Sequence, residues 1–471
     1  MNRLTLPAAA LIILALAPVR AGDNSTSDFV ILHRPLSKAE ALNLAIAHNG
    51  TILQAQKEVQ AAAGVAIQTK AIVYPHVNHT AFYNARQDSL IETNEDREFG
   101  PVTVDFPPPI GPIQSRTITF PKVNNQAWAA DVQITQSIYE GGRLLSALRA
   151  SRLINEQAVL AYESIVADTL LQVSTAYDDV LRAAMQISVR HDSVVFLGGY
   201  LGETTDKFNS GALPEFDVLR QGVEVANAKA AEVQAIGDYR VAKQKFVSLL
   251  GYDLPVTATD DLALSLTTPL EARPYDKALS VALSEALQHR TEIAALQKEE
   301  LLRDEAVINA KAGYKPSVQA FAGYELTSRV QTRSANEELH GGLIGGQVSW
   351  SIFDGFLTKG RVDEAVARRE KAGEAKAETT RQVELQVRTA WSDLRTARAV
   401  LEAQSENVRK GRRGLELSQI RYNEGASTQI DVLDAQSALT TAHGEYVDAL
   451  RNHSVARANL IRATGADLHW R

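Results

Sequence analysis

The chain is an internal duplication, and this constrains its fold more than any other feature of the sequence. A shift of 241 residues places Ala45, His48, Pro75, Val77, Ala81 and Tyr83 on Ala286, His289, Pro316, Val318, Ala322 and Tyr324. A shift of 214 residues places Gln133, Ser137, Ile138, Gly141, Gln172, Val173, Ala176, Asp179, Asn209, Gly211, Asp217, Val218, Leu219 and Gly251 on Gln347, Ser351, Ile352, Gly355, Gln386, Val387, Ala390, Asp393, Asn423, Gly425, Asp431, Val432, Leu433 and Gly465. The shifts differ by 27 residues, so one repeat carries a longer insert between Tyr83 and Gln133. A fold for one half must therefore also fit the other half.

Residues 1–21 are typical of a secretory signal. Arg3 precedes an apolar run from Leu4 to Ala17, and a small-residue cleavage site ends at Ala21. The run is too short to be a membrane anchor, because a spanning helix needs about 20 apolar residues. No later stretch is apolar for that length, so we expect the mature chain to lack a spanning helix.

Composition excludes several classes of site. The chain contains no cysteine, so disulfides, thiolate metal sites and a lipid-modified N-terminal cysteine are excluded. The net charge of −7 gives no reason to expect a nucleic-acid partner. A length of 471 residues allows two or three domains, but the duplication favours one interwoven unit.

Long helices dominate each half. The sequence predicts a helix over residues 36–71 and two much longer helices over 142–208 and 360–422, which contain no proline and few glycines. At a rise of 1.5 Å per residue, a helix of about 65 residues is ~100 Å long. Apolar residues at spacings of three, four and seven indicate helices packed along one another; in the first long helix they are Leu153, Leu160, Val166, Leu170, Val173 and Tyr177.

Four segments alternate between apolar and polar residues, as strands with one apolar face do. Each is about ten residues long, which matches a tilted strand that crosses a bilayer. A soluble sheet alternates in the same way, but each helix has its own apolar seam, so nothing remains to cover these faces. The apolar positions are Val77, Ala81 and Tyr83; Trp128, Ala130, Val132, Ile134 and Ile138; Val318, Ala320, Ala322, Tyr324 and Leu326; and Val348, Trp350 and Ile352.

Four strands cannot close a barrel by themselves. The smallest membrane barrels use about eight strands, and an open edge in lipid is very costly. The chain must therefore pool its strands with copies of itself. Two or three copies satisfy this condition, and a water-filled conduit favours the wider barrel of three.

Paired motifs resemble those of the TolC family of outer-membrane efflux proteins. The second half contains Arg421-Tyr422-Asn423-Glu424-Gly425 followed by Asp431-Val432-Leu433-Asp434-Ala435, and the first half contains Lys207-Phe208-Asn209-Ser210-Gly211 followed by Asp217-Val218-Leu219. These look like the RYxxG and DVLxA motifs that the family carries in each half. The resemblance covers nearly all of the mature chain.

The resemblance implies a membrane α+β fold in which three protomers form a twelve-stranded outer-membrane β-barrel, continuous with a twelve-helix periplasmic α-barrel. It implies a signal peptide over 1–21, a first repeat over 22–251, an equatorial connection over 252–274 and a second repeat over 275–471. The partners would be two further copies, outer-membrane lipid, a periplasmic adaptor and an inner-membrane transporter. The loop from Arg86 to Asn125, which holds the insert, would be extracellular.

Asp431 and Asp434 are candidates for a pore gate. They lie three residues apart on a helix and share a face. If that face points into a three-fold channel, the carboxylates converge, raise one another's pKa and form a cation-attracting constriction. In the resembled family, this position closes the resting channel. The alternative is a solvated face on which Asp431 is a helix N-cap.

The resemblance also implies a tip clamp, in which a tyrosine of the second motif is tied to an aspartate of the first. Here these residues are Tyr422 and Asp217, while Ser427 stands where some relatives carry a basic clamp residue; closure then rests more on packing near Phe216. Glycine is expected where long helices reverse, because the turn demands positive φ. The predicted tip-turn and adaptor-contact residues are Asn209, Gly211, Val218, Leu219, Asn423, Gly425, Val432 and Leu433.

Nothing in the sequence supports catalysis or a cofactor. His76 and His79 would lie on opposite faces of a strand, so they do not form a metal pair. The glycine pairs at 341–342 and 345–346 resemble a phosphate loop, but no lysine-serine pair follows, and we interpret them as a turn. There is no HExxH, GxSxG or P-loop motif.

Two functions remain open from the sequence. The first is a passive exit duct for a tripartite efflux or type I secretion system. The alternative is a periplasmic coiled-coil adaptor or scaffold without a pore, although an adaptor has one helical hairpin and this chain has two. The sequence does not identify the cargo or the pump that selects it.

Overall fold

The computed structural model describes residues 35–90, 102–104, 116–118, 125–253, 262, 264–328 and 338–465. The predicted signal peptide over 1–21 lies outside the described residues. So do most of the insert between 86 and 125 and part of the predicted connection over 252–274.

The two halves contain the same elements in the same order. Each half has two short helices, a pair of strands and two long helices, as the internal repeat predicts. The first half comprises α1 (Lys38–His48), α2 (Gly50–Ala71), β1 (His76–Ala85), β4 (Gln126–Glu140), α3 (Arg143–Asn209) and α4 (Glu215–Leu249), with the short β2 (Val102–Val104) and β3 (Arg116–Ile118) between β1 and β4. The second comprises α5 (Leu279–His289), α6 (Thr291–Lys311), β5 (Ser317–Ser328), β6 (Glu338–Ser349), α7 (Leu357–Asn423) and α8 (Gln429–Thr464).

The longest helices confirm the predicted dimensions. Helices α3 and α7 each contain 67 residues. At 1.5 Å per residue, each is ~100 Å long. Both helices run the full length of the helical part, with α2 and α6 beside their sheet ends and α4 and α8 beside their far ends.

The prediction of one continuous helix over 36–71 is wrong, because Asn49 interrupts it. The Asn49 backbone is extended, and its side-chain oxygen accepts hydrogen bonds from two N–H groups of the first turn of α2, at 2.9 and 3.2 Å. Its side-chain nitrogen donates to the carbonyl of Leu249 at 2.6 Å. Asparagine is a favoured N-cap for this reason. Arg290 breaks α5 from α6 at the equivalent position of the second repeat.

The four long strands form one antiparallel sheet in the order β1-β4-β5-β6. The register aligns the predicted apolar positions across all four strands, so one face of the sheet is largely apolar. No described residue covers that face; Val77, for example, is 65% exposed and Ile344 is 86% exposed. Rows of this face include Val77, Ile134, Ala322 and Ile344, and also Val318 and Val348.

Strand β6 differs from the sequence prediction. The glycine pairs at 341–342 and 345–346 lie inside the strand rather than in a turn, and Trp350 and Ile352 lie beyond its end. Phe321 of β5 lies opposite Gly345, and a Cβ at Gly345 would be 2.6 Å from the phenyl ring. An aromatic ring that covers a cross-strand glycine compensates for the missing side chain. The strand preferences of the residues in β6 alone do not reveal a pairing with a residue of β5.

The helical layer is open in the same way as the sheet. The helices that touch one another lie in the order α2-α3-α6-α7 near the sheet and α4-α3-α8-α7 towards the far end. Two equivalent apolar cores fix the short helices: α1 packs on α3 and α4, and α5 packs on α7 and α8. Helices α4 and α7 therefore form opposite edges of the protomer.

A partly buried ion network joins four helices near the start of α6. Glu292 accepts a hydrogen bond from Arg462 of α8 at 2.7 Å and pairs with Arg290 at 2.9 Å. Arg462 also pairs with Asp168 of α3, and Arg290 reaches Gln386 of α7. Burial alone would raise the pKa of Glu292, but the hydrogen bond and charge of Arg462 outweigh it and lower that pKa to about 2.

We expect Glu292→Gln to lower the free energy of unfolding at pH 7 by about 3 kcal/mol, the equivalent of the pKa shift. Because the folded pKa of Glu292 is depressed, its contribution is present above the ordinary value of 4.5 and is lost as the pH falls towards 2. The melting temperature, measured between pH 2 and 7, should therefore fall less with decreasing pH in the variant than in the unmodified protein.

Glu378→Gln is the matched control, since Glu378 is exposed and pairs with Arg381 on its own helix. Its melting profile should follow that of the unmodified protein. An unchanged pH dependence in Glu292→Gln would contradict the assigned role of the network.

Candidate functional site: the two hairpin tips

The two long hairpins reverse through turns of the same geometry. Gly211 has φ +78° and Gly425 has φ +71°, the left-handed conformation that favours glycine. In each turn the glycine N–H donates to the carbonyl three residues earlier, and the next N–H donates to the carbonyl five residues earlier, at 2.8 to 3.0 Å. Asn209 and Asn423 are the exposed last residues of α3 and α7. The predicted tip turns are therefore present in both repeats.

The helices after the turns begin differently. The N-cap of α8 is Thr428, whose N–H and hydroxyl both donate to one Asp431 carboxylate oxygen at 2.8 and 2.9 Å. These bonds lower the pKa of Asp431. At the equivalent place, α4 has Pro214, which makes no side-chain cap. Asp431 is thus the third residue of a capping box rather than the N-cap that the sequence alternative expected.

Asp431 and Asp434 are both exposed and lie on one side of α8, as their spacing predicts. Among the described residues, Asp434 makes no hydrogen bond or ion pair. Val432, between them, is completely buried and faces the protomer interior. One free carboxylate and one capping carboxylate therefore share an exposed face at the tip.

The first motif is more exposed than the second. Leu433 is half-buried against Val432 and its neighbours, whereas Leu219 is 62% exposed and Phe216 is 68% exposed. Val218 is half-buried. Phe216, Val218 and Leu219 lie on α4, which forms one edge of the protomer, so of the two DVL segments the first is the less covered.

Tyr422 contacts residues that the sequence prediction missed. Its ring centre lies 5.9 Å from that of Tyr200 and 4.7 Å from the Lys207 ammonium, at cation–π distance. Tyr200 in turn stacks on Phe196 at 6.1 Å. Burial raises the pKa of Tyr200. These contacts tie the end of α7 to α3.

The predicted clamp residues are not joined within one chain. No hydrogen bond links Tyr422 to Asp217 in the part of the chain that the structure describes, so this clamp stays a prediction. The Ser427 hydroxyl lies 3.5 Å from the carbonyl of Ser418 on its own hairpin. The sequence does contain a signal for the contact between Lys207 and Tyr422, because the two residues occupy neighbouring positions of the two paired motifs.

The described residues contain no group of three or more histidine, cysteine or acidic side chains placed to hold a metal ion. His76 and His79 lie three residues apart on β1 and therefore point to opposite faces. Within the same residues, no helix is both long and apolar enough to cross a membrane.

A family model described as outer membrane efflux protein matches residues 41–252 and 282–466. The chain belongs to this family. The two matched segments follow the two structural repeats. Members are transport proteins of the outer membrane rather than enzymes, so the predicted localisation is confirmed.

Known relatives are similar over most of their length. The outer membrane protein TolC of Escherichia coli (strain K12) is 23% identical over 356 residues, which are 73% of this chain and 70% of TolC. Protein CyaE of Bordetella pertussis is 25% identical over 440 residues, which are 91% of this chain and 84% of CyaE. The solved outer membrane protein VceC of Vibrio cholerae has a TM-score of 0.69 at 17% identity and covers 91% of this chain and 96% of its own. The TolC-like fold is therefore confirmed.

The outer-membrane location identifies the environment of the apolar face of the sheet. In an outer-membrane protein, such a face meets lipid. Val132 lies on it near the middle of β4, opposite His79 and Tyr324. Gln133, the next residue, points to the other face, opposite Asn78 and Gly323.

We expect Val132→Arg to impair membrane assembly and Gln133→Arg to be tolerated. An arginine on the lipid face costs about 2–4 kcal/mol at the bilayer midplane, whereas the opposite face carries no such cost. Oligomer yield in the outer-membrane fraction measures the difference. Equal losses in the two variants would contradict the assignment of the apolar face to lipid.

We expect Tyr422→Leu to make the outer membrane leakier than Tyr422→Phe does. Leucine removes the ring that contacts Tyr200 and Lys207, whereas phenylalanine keeps the ring and removes only the hydroxyl predicted to reach Asp217. Sensitivity of cells to a large antibiotic that the outer membrane excludes measures the leak. If Tyr422→Phe leaves the sensitivity unaltered, the hydroxyl plays no part in closure. If both variants leave it unaltered, Tyr422 plays no part in closure.

Proposed function

We propose that the chain is one protomer of a homotrimeric exit duct, which passively conducts substrate from a periplasmic adaptor and an inner-membrane transporter to the exterior. The observation that carries this proposal is the pair of open sheet edges. Within the described residues, the outer edges of β1 and β6 have no partner strand. A bilayer core offers no water to unpaired backbone groups, so further copies must pair with them.

Three copies would pool twelve strands and continue them as twelve helices. The protomer supports this, because α4 and α7 are the outermost of the described helices towards the tips. The exposed stripe of α4 includes Phe216, Leu219 and Val223, and α7 exposes Leu417 and Ile420 near the same end. Apolar faces on opposite edges suit contact between neighbouring copies. The alternative of two copies would give a narrower barrel of eight strands.

We propose further that Asp431 and Asp434 form the gate at the periplasmic tip. Their exposure on one side of α8, away from the buried Val432, supports this role. Three copies would bring six carboxylates around one axis, where they attract cations. Asp434 is the sharper probe, because its neutralisation leaves the capping box between Thr428 and Asp431 intact.

The tips are also the proposed contact with the adaptor. They are the ends of the molecule farthest from the sheet, and Asn209 and Asn423 of the predicted contact set are exposed there. The two glycine turns, at Gly211 and Gly425, keep the tips narrow. Such a tip would serve either a tripartite efflux system or a type I secretion system, since the pump selects the cargo.

The experiment is planar-bilayer conductance of the detergent-extracted oligomer, after its mass has been determined. We expect a trimer of small conductance that rises in Asp434→Asn and rises further when Asp431→Asn is added. Block by a multivalent cation should weaken in the same order, because each change removes three negative charges from the constriction.

Asp206→Asn is the matched control, since Asp206 is an exposed acid near the tip on α3. Its conductance and cation block should equal those of the unmodified protein. Unchanged conductance and block in the double variant would refute the gate while leaving the duct intact. A soluble monomer without conductance would refute the duct and favour the periplasmic scaffold.

A further inference from the structure

A cavity of about 320 Å³ lies beside the start of α1, far from the tips. Its wall is formed by the first residues of α1, the segment around Thr268 that follows the described end of α4, and the last turns of α8. Five charged residues line this wall. They are Lys38, Asp178, Glu271, Arg273 and Arg457.

Arg457 is the group in this cavity that lacks a partner. Its Nε is fully buried and makes no hydrogen bond, and no other hydrogen bond or ion pair of Arg457 occurs among the described residues. An arginine side chain stays charged in a protein, and a partly buried unpaired charge is costly. Burial, together with the charge of Arg273, lowers the pKa of Arg457. The protomer therefore leaves a positive charge uncompensated here.

The acids in the wall are already engaged. Asp178 is 2% exposed, and both its oxygens lie 2.9 Å from the Lys38 ammonium. It also accepts the hydroxyl of Ser454 at 2.7 Å. Glu271 is 3.9 Å from Arg273. Each acid thus has a cation of its own, and Arg457 remains in excess.

The internal repeat supplies a direct comparison. Lys243 occupies the position equivalent to Arg457 in the first repeat, 214 residues earlier. Its ammonium donates to the carbonyl of Leu262 at 2.8 Å and lies 4.3 Å from the centre of the Tyr239 ring. The residue equivalent to Tyr239 is His453, whose pKa is lowered by burial. The first repeat compensates its cation internally, and the described residues of the second repeat do not.

Two features prepare the cavity for an anion. Ser37, the N-cap of α1, and the first helical residues Lys38 and Ala39 form part of the wall. The Ser37 and Lys38 N–H groups donate to Glu40 and Thr268, so the helix contributes the positive field of its N-terminus rather than these two donors. The wall is also held in place, because the buried Tyr177 hydroxyl donates to the carbonyl of Leu36 at 3.1 Å and accepts the N–H of Thr268 at 3.0 Å. A preformed site loses little entropy on binding.

We propose that this cavity binds a small oxyanion, a phosphate or a carboxylate group, with Arg457 as the principal donor. Arg273 and the first turn of α1 supply further positive potential, and Lys38 stays with Asp178. The bound anion links α8 to α1 and to the segment around Thr268. This role concerns the joint between the repeats and is independent of conduction at the tips.

The experiment is isothermal titration of the detergent-extracted oligomer with inorganic phosphate and, separately, with acetate, at ionic strength held constant with chloride. We expect one phosphate per chain. Arg457→Gln should weaken binding about tenfold or more, because a hydrogen bond to a charged group is lost. Arg457→Lys should bind phosphate with intermediate affinity, since lysine keeps the positive charge but lacks the planar guanidinium group that donates two parallel hydrogen bonds.

Arg381→Gln is the matched control, because Arg381 is exposed and pairs only along its own helix, with Glu378. It should bind phosphate as the unmodified protein does. Competition between phosphate and acetate would support a general oxyanion site, and phosphate binding alone would support one selective for tetrahedral anions. Absence of binding, or equal affinity in a folded Arg457→Gln variant, would overturn the proposal.

Discussion

The backbone of β1 and β6 is the constraint on which the rest of the architecture depends. Each strand has one edge paired within the sheet and one edge without a partner in the described chain. Water satisfies such groups at a soluble surface, but hydrocarbon does not. With the exposed apolar face in lipid, the proposed homotrimer would pair these edges with other copies. The helical layer is open for the same reason, because the helices follow the strands along the chain and therefore lie in a matching arrangement.

Duplication produced two similar tips, and local chemistry made them different. Asp217 and Asp431 are equivalent in the repeat, yet Asp217 follows Pro214 and Asp431 follows Thr428. Threonine can cap a helix with its hydroxyl and proline cannot, so only Asp431 enters a capping box. The same divergence separates Lys243, which has partners, from Arg457, for which the described part of the chain supplies none. The structural differences between the two halves therefore arise at positions where the repeats match in place and differ in chemistry.

The sequence predicted most of the fold because its signals are local. Helical periodicity marked α3 and α7 to within a few residues, and period-two alternation marked four strands. Two predictions failed for a common reason. Asn49 caps α2 locally, but its side chain is also held by a bond to Leu249, 200 residues away, and Gly345 lies in β6 opposite Phe321 of the neighbouring strand. Neither partner is visible from local pattern.

The sequence by itself determined the duplication, the apolar face of the sheet, the long helices and the glycine turns, because each follows from residue type and spacing along the chain. The tertiary structure decided which charges and rings meet: Lys207 with Tyr422, Glu292 with Arg462, and Arg457 with no partner among the residues that the structure describes. Those pairings depend on how helices from the two repeats lie side by side. Side-chain contacts between distant segments require the packed fold, since spacing along one segment carries no information about its neighbour.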